Sequence, residues 1–192
     1  MTESALPCKR VSTGRPARIW IIGHPGSGKT TLGRQLSQAI EAPLLELDSV
    51  LWLDKWQKAS DDLFDGTVTK FIANNPSWVI DGMYRQSGVR ICESADLVIF
   101  LNRPLLYLLR RVFCRSFLRV FRGTELWNGN RETFAKLFGR DSILLYTLSS
   151  YRQKMAEAEW YLSHAKKLGI AYTSIGTKGS VAGIVGNLRG QG

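Results

Sequence analysis

Little in this chain points toward a lipid phase or an oxidising compartment. Its three cysteines, Cys8, Cys92 and Cys114, are widely scattered and odd in number, so they offer neither a disulfide framework nor a metal-ligand spacing. The longest apolar runs, around 97–101 and 105–109, fall far short of the ~20 residues a membrane-spanning helix needs. The first seventeen residues hold Glu3 and no apolar segment; they read as a flexible tail (1–17), neither a secretory signal nor a transit peptide. A cytoplasmic, reduced protein without a membrane partner is the expectation. Acid is also scarce. Sixteen Asp and Glu stand against 26 Lys and Arg, a net charge of +10, and no acid lies between Asp96 and Glu125. That imbalance calls for a polyanionic partner or substrate, either nucleic acid or clustered phosphates. At 192 residues, 44% hydrophobic and 22% charged, the chain suits one domain with a real core, over 18–192, and is short for two.

What is present is concentrated first in Arg18–Thr31. An apolar strand, Ile19 to Ile22, runs into Gly23-His24-Pro25-Gly26-Ser27-Gly28-Lys29-Thr30, which fits the phosphate-loop pattern G-x-x-x-x-G-K-[ST] at every fixed position. Gly26 and Gly28 permit the positive φ of a loop wrapped round phosphate. Loop amides and the positive end of the following helix form a nest for polyphosphate oxygens. Lys29 would reach the outer phosphates and the Thr30 hydroxyl would hold Mg²⁺. Thr31 opens a helix with Leu32, Leu36, Ala39 and Ile40 on one face, the expected context for such a loop.

Further along, Leu44–Asp48 reads as a second strand with Asp48 at its carboxyl end, where ligands collect in open α/β sheets. Trp52 and Trp56 follow; they either cover the core beneath a short helix or wall an acceptor pocket anchored by Asp48. Residues 61–73 have a helical stripe of Leu63, Phe64, Val68, Phe71 and Ile72. The third strand, 77–80, delivers Asp81-Gly82-Met83-Tyr84-Arg85. Asp81 reads either as a turn residue before Gly82 or as the carboxylate that orders Mg²⁺. Residues 95–102 form the most strand-like segment, suited to a central parallel strand.

Pro104 opens a helix to about residue 121. Arg111, Arg115, Arg119 and Arg122 share one face, and Leu105, Leu108, Leu109, Val112, Phe113 and Phe117 are expected to pack on the sheet. A basic stripe without neighbouring acid repels itself unless an anion is bound, so it reads as phosphate-binding. The polar excursion 122–140, with Asn128-Gly129 as a turn signal, reads as a small lid carrying Arg131 and Arg140. A helix broken near Ser149-Ser150, a fifth strand at 171–175 and a closing helix at 180–188 complete the chain. Strand and helix alternate throughout. The expected fold is α/β: a three-layer P-loop NTPase fold with a five-stranded parallel sheet, helices on both faces and a small lid.

The loop GHPGSGKTT, the strand end VIDGMYR and the segment Pro104–Arg115 together resemble the adenylate-kinase-like P-loop kinases. Asp81 and Arg85 keep the spacing of that family's D-G-F-P-R run, with Met83-Tyr84 in place of Phe-Pro. The resemblance implies that Asp81 helps order Mg²⁺, that Arg85 grips an acceptor phosphate, and that Arg111 and Arg115 flank ATP. Over about residues 18–176, LDSVLW with Trp56, WVIDGMYR, ELWNGNRE and RDSILLY are similar to a narrower bacterial group, known as topology modulation proteins or adenylate-kinase-like AAA-family ATPases. That similarity implies that the lid is a family feature.

The expected function is therefore ATP- and Mg²⁺-dependent phosphoryl transfer. The loop residues Gly23 to Thr31 and Arg111 hold the nucleotide, Thr30 and Asp81 the metal, and Lys29, Asp48, Asp81, Arg111, Arg115 and Arg131 carry the chemistry. Asp48, Trp52, Trp56, Tyr84 and Arg85 receive a small-molecule acceptor. A phosphate gripped by Arg85 would make that acceptor a nucleoside monophosphate or similar phosphate ester; a hydroxyl proton accepted by Asp48 would make it a small alcohol or sugar. The Asp-Gly-x-x-Arg spacing leans to the first. The rivals are a nucleotide-dependent DNA-associated protein, disfavoured because the arginines concentrate beside the nucleotide and no nucleic-acid-binding signature appears, and an NTPase switch without an acceptor.

Overall fold

A computed structural model describes residues 17–123, 125–130, 139 and 142–176. Residues 1–16 of the expected tail, Arg131, Arg140 and the closing helix at 180–188 lie outside the described residues, whereas Ala17 is buried, its N–H donating to Ser77 Oγ at 3.1 Å.

Five strands, β1 (Arg18–Gly23), β2 (Leu44–Glu46), β3 (Trp78–Asp81), β4 (Leu97–Leu101) and β5 (Ala171–Ile175), form one sheet in the order β2-β3-β1-β4-β5. Every pairing is parallel. All residues of β3 and β4 are buried, as expected when both faces of a parallel sheet are covered. Alternation sorts the strand side chains into two cores. Trp20, Ile22, Trp78, Ile80, Val98 and Phe100 belong to one, and Ile19, Ile21, Val79, Leu97, Ile99 and Leu101 to the other. Helix α1 (Lys29–Ala39) contributes Leu32 and Leu36 to the second core. On the first lie α2 (Leu47–Leu51), α3 (Asp61–Asn74), α4 (Arg85–Ser94) and the long α6 (Ile143–Lys167), through Leu47, Phe64, Ile91 and Tyr161. The three-layer α/β arrangement is the one the sequence leads one to expect.

Four local expectations need correction. The second strand ends at Glu46, and Asp48 lies in the short helix α2. Helix α4 fills 85–94, a stretch whose periodicity gave no helix. Helix α6 runs unbroken through Ser149-Ser150 because their hydroxyls turn inward: Ser150 Oγ donates to Tyr146 O at 2.5 Å, and Ser149 Oγ to the same carbonyl at 3.3 Å. Such back-bonding satisfies the serines within the helix instead of ending it. Helix α5 (Leu105–Arg122) buries only Leu108, Val112 and Ser116, whereas Phe113 and Phe117 are 41% and 43% exposed. No helix among the described residues is long and apolar enough to cross a membrane.

Candidate functional site

The phosphate loop leaves the carboxyl end of β1, beside β3. Its shape depends on close backing by α5. Gly26 has φ +77°, and a Cβ there would lie 2.8 Å from Val112 Cγ2 and 3.2 Å from Leu108 O. Any other residue would therefore meet both backbone strain and a steric block. The same helix brings Arg111 to the loop: Nη1 lies 3.7 Å from where a Cβ on Gly28 would stand. Arg111 is steadied by Tyr107, donating to its hydroxyl at 2.9 Å and lying 5.6 Å from its ring centroid. Arg115 is exposed one turn further on.

Inside the loop, Lys29 Nζ donates to His24 O at 3.1 Å, and Ser27 N to the same carbonyl at 3.2 Å. His24 is fully buried. Its ring stacks on Tyr151 of α6 at 4.7 Å, with Nε2 3.0 Å from Tyr151 O. A carbonyl accepts only from N–H, which places the proton on Nε2. Burial pushes the His24 pKa down, opposed by the Tyr151 hydrogen bond and assisted by the Lys29 and Lys154 charges. The ring is thus a neutral tie between loop and helix. Pro25 and Thr31, at the ends of the wrapped portion, are half-buried and exposed respectively.

Thr30 Oγ1 donates to Asp81 Oδ2 at 2.6 Å, joining the start of α1 to the end of β3. Burial pushes the Asp81 carboxyl up to about 6 against the pull of Lys29 and Thr30, while Asp48 and Glu46 add to the rise. Its other oxygen, Oδ1, is buried without a protein partner. A threonine hydroxyl, a buried carboxylate with a spare oxygen and an adjacent phosphate loop fit Mg²⁺, which takes hard oxygen ligands and keeps water and phosphate in its shell. Among the described residues no group of three or more His, Cys, Asp or Glu is arranged to cage a metal, as suits an ion completed by phosphate oxygens and water.

Asp48 faces this group from the β2 side. Gly82, at φ +128°, allows it: a Cβ there would come within 2.9 Å of Leu47 Cβ. The segment after β2 therefore rests directly on the end of β3, and Trp20 Nε1 fastens Gly82 O at 2.8 Å. The Tyr84 hydroxyl donates a short hydrogen bond to Asp48 Oδ1. Burial pushes the Tyr84 pKa far above its usual range, with the Asp48 carboxylate adding to the effect, so Tyr84 stays a donor. Phe64 meets the Tyr84 ring edge-on at 5.5 Å, and Lys154 Nζ lies 5.9 Å from its centroid while donating to Met83 O at 3.1 Å. Trp52 and Trp56 are half-buried, 5.7 Å apart and T-shaped. They sit on separate pieces, after α2 and in the 3₁₀ turn Asp54–Trp56, and Trp52 packs on the core. Arg85 is exposed at the start of α4, where its charge reaches the Tyr161 hydroxyl.

The described part of the expected lid lies against the segment after β2. Trp127, Asn128 and Asn130 all bond to Glu46–Trp56. These contacts, the His24–Tyr151 stack and Lys154 were missed from sequence. ELWNGNRE stood out as a motif, but nothing in it names its partner, and Lys154 on a mixed helix gives no signal.

The fold and loop define a class first: this is an α/β P-loop NTPase fold. Residues 19–90 match the family described as "ATPase family associated with various cellular activities (AAA)". Among solved structures, shikimate kinase from Bacteroides thetaiotaomicron is similar over 91% of this chain and 97% of its own, with a TM-score of 0.56 and 15% identity. A gluconokinase from Sinorhizobium meliloti 1021 is similar over 92% and 91%, with a TM-score of 0.50 and 17% identity. At such identities the likeness is one of fold. In sequence, the uncharacterized protein YqaC of Bacillus subtilis (strain 168) is 32% identical over 112 residues, 58% of this chain. The match spans 62% of the length of that relative.

Proposed function

We propose that the protein is an ATP- and Mg²⁺-dependent phosphotransferase whose acceptor is a small molecule offering a hydroxyl to Asp48. One observation carries this reading. Asp48 is held by the Tyr84 hydroxyl and follows Leu47, which packs on Gly82 directly after Asp81, while Asp81 takes the Thr30 hydroxyl of the phosphate loop, so two carboxylates stand at the end of β3 beside the loop. The kinase neighbours in fold agree with it. Loop amides and Lys29 hold the β- and γ-phosphates, Arg111 offsets charge on the transferring group, and Thr30 and Asp81 hold the metal. Bound Mg²⁺ would supply positive charge against that developing on the transferring phosphoryl group. Asp48 accepts the hydroxyl proton as the acceptor oxygen bonds to the γ-phosphorus, and the bond from that phosphorus to the β-phosphate oxygen breaks, releasing ADP. Trp52, Trp56 and Tyr84 would form the acceptor wall, and Arg115 of α5, one turn beyond Arg111, would offset further phosphate charge.

Phosphoryl transfer from Mg-ATP to a panel of sugars, small alcohols and nucleoside monophosphates tests the proposal. Asp48→Asn should lower turnover of a hydroxyl acceptor by about 10²–10⁴-fold with ATP affinity preserved. If Asp48→Asn turns over normally and Arg85→Ala raises the acceptor KM, the acceptor is a monophosphate ester and the hydroxyl reading is wrong. ATP hydrolysis unaffected by any panel member would favour the NTPase switch.

A further inference from the structure

The segment that carries Asp48 and Trp52 is held only in part by its own bonds, among them Leu53 N to Gln57 O and Ala59 N to Leu51 O, each at 2.8 Å. Helix α2 has five residues, too few to satisfy its terminal carbonyls internally. The 3₁₀ turn after it places Lys55 and Trp56, two successive non-glycine residues, at φ +55° and +60°, a conformation L-residues rarely adopt together. The long-range groups that hold this segment come from Trp127–Asn130, more than seventy residues away. Asn128 Nδ2 caps the carbonyls of Ser49 at 3.2 Å and Trp52 at 2.6 Å. Asn130, 3% exposed, accepts from Trp56 N at 2.7 Å and donates to Leu53 O at 2.8 Å and Trp127 O at 2.9 Å. Trp127 Nε1 donates to Glu46 Oε2 at 3.0 Å, while the other Glu46 oxygen takes Arg34 of α1 at 2.9 Å. The turn is itself held in an uncommon conformation, with Asn128 at φ +54°.

We propose that Trp127, Asn128 and Asn130 are positioning residues for acceptor specificity, fixing the backbone from Glu46 to Trp56 so that Asp48 and Trp52 face the acceptor. The proposal rests on the phosphotransferase reading for the identity of that wall. The chemistry at Asn130 is stringent: its amide accepts and donates at once, which a carboxylate cannot do. Through Glu46 and Arg34, the same turn is tied to the helix that begins at the phosphate loop. The hydrogen bonds of these three side chains go to residues 46–56 and within the turn, with none to the phosphate loop among the described residues, so their loss is expected to fall on the acceptor.

The test compares the unaltered protein with Asn130→Ala and Asn130→Asp on the panel of sugars, small alcohols and monophosphates, with amide hydrogen exchange read in parallel. Asn130→Ala should raise the KM of the accepted compound about ten-fold or more and reduce the kcat/KM ratio between the best and next-best acceptors, with KM for ATP unchanged within about two-fold. Asn130→Asp should fall between. Exchange should quicken over 50–58 and stay constant over 19–31. An unchanged acceptor KM and ratio overturns the proposal even if exchange over 50–58 rises. So does a parallel loss of ATP and acceptor affinity in step with a lowered melting temperature, which marks a merely structural role. If the unaltered protein transfers phosphate to no panel member while binding Mg-ATP, the phosphotransferase reading fails, and the specificity role with it.

Discussion

Asp81 bears opposing demands, and without metal burial outweighs the pull of Lys29 and Thr30. Its folded pKa, about 6, lies above the ordinary 3.8, so the folded chain holds the proton more tightly than the unfolded one. Below pH 3.8 both states are protonated and burial of the charge costs nothing. As pH rises from there to about 6, the unfolded carboxyl ionises first and stability is lost; above that the penalty is constant. The interval corresponds to about 3 kcal/mol at ~1.4 kcal/mol per pH unit. Metal-free Asp81→Asn should therefore be more stable than the unaltered protein at pH 7–8 by up to that amount, and no more stable at pH 4, by urea unfolding across the range. A gain independent of pH would contradict a burial origin. At this scale the loop was legible as a motif and as the turn between β1 and α1, because G-x-x-x-x-G-K-[ST] fixes residue types at set positions. Asp81 was legible only as two alternatives, and the Thr30 bond with the unpartnered Oδ1 favours the metal reading. The His24–Tyr151 tie was not legible, since a histidine inside the loop carries no mark of what its ring will stack on.

Among the elements, α4 shows how helices escape a reading by periodicity. Of its buried residues, Ser87, Gly88, Ile91 and Cys92, two are small and without apolar weight, so no stripe forms. Ser87 bonds to Asp65 of α3 at 2.8 Å, and Gly88 lies where α6 passes close by. A Cβ on Gly88 would overlap the Tyr161 phenol, standing 2.5 Å from Cζ, and Tyr161 is in turn wedged edge-on against Trp20 at 4.8 Å. Gly88→Ala should cost about 1–3 kcal/mol by overpacking, read by urea unfolding. Adding Tyr161→Phe should recover part of that loss, a non-additive pair. Equal and additive losses would show that the ring has room to move. Strands β3 and β4 were readable for the converse reason: buried on both faces, they are apolar except for Asp81 at the end of β3. The short β2 and the helix after it were misread together, because Leu44, Leu45 and Leu47 look like one strand until Gly82 lets Leu47 turn down onto β3.

For the molecule as a whole, charge and ligand linkage make one joint prediction. A chain of net charge +10 whose loop binds nucleotide should gain about 2.7 kcal/mol of stability from Mg-ADP at a hundred times its Kd. At fixed nucleotide concentration the gain should shrink with added salt, as screening weakens attraction between exposed charges. Lys29→Ala should lose most of it while losing only about 1 kcal/mol of intrinsic stability, the worth of one hydrogen bond. Equal stabilisation of both proteins, by thermal or urea unfolding, would separate the loop from the nucleotide. The sheet order explains why the polar side chains converge: β1 and β3 are neighbours at its centre, so the loop after one and Asp81 at the end of the other share a crevice, and β2 brings Asp48 to its rim. The fastening of 46–56 by 127–130 has an evolutionary corollary. The two stretches are far apart in the chain yet form one hydrogen-bonded unit, so substitutions in one are constrained by the other. Transplanting the segment after β2 from a relative, to redirect this scaffold to another compound, would succeed only if the matching turn travelled with it.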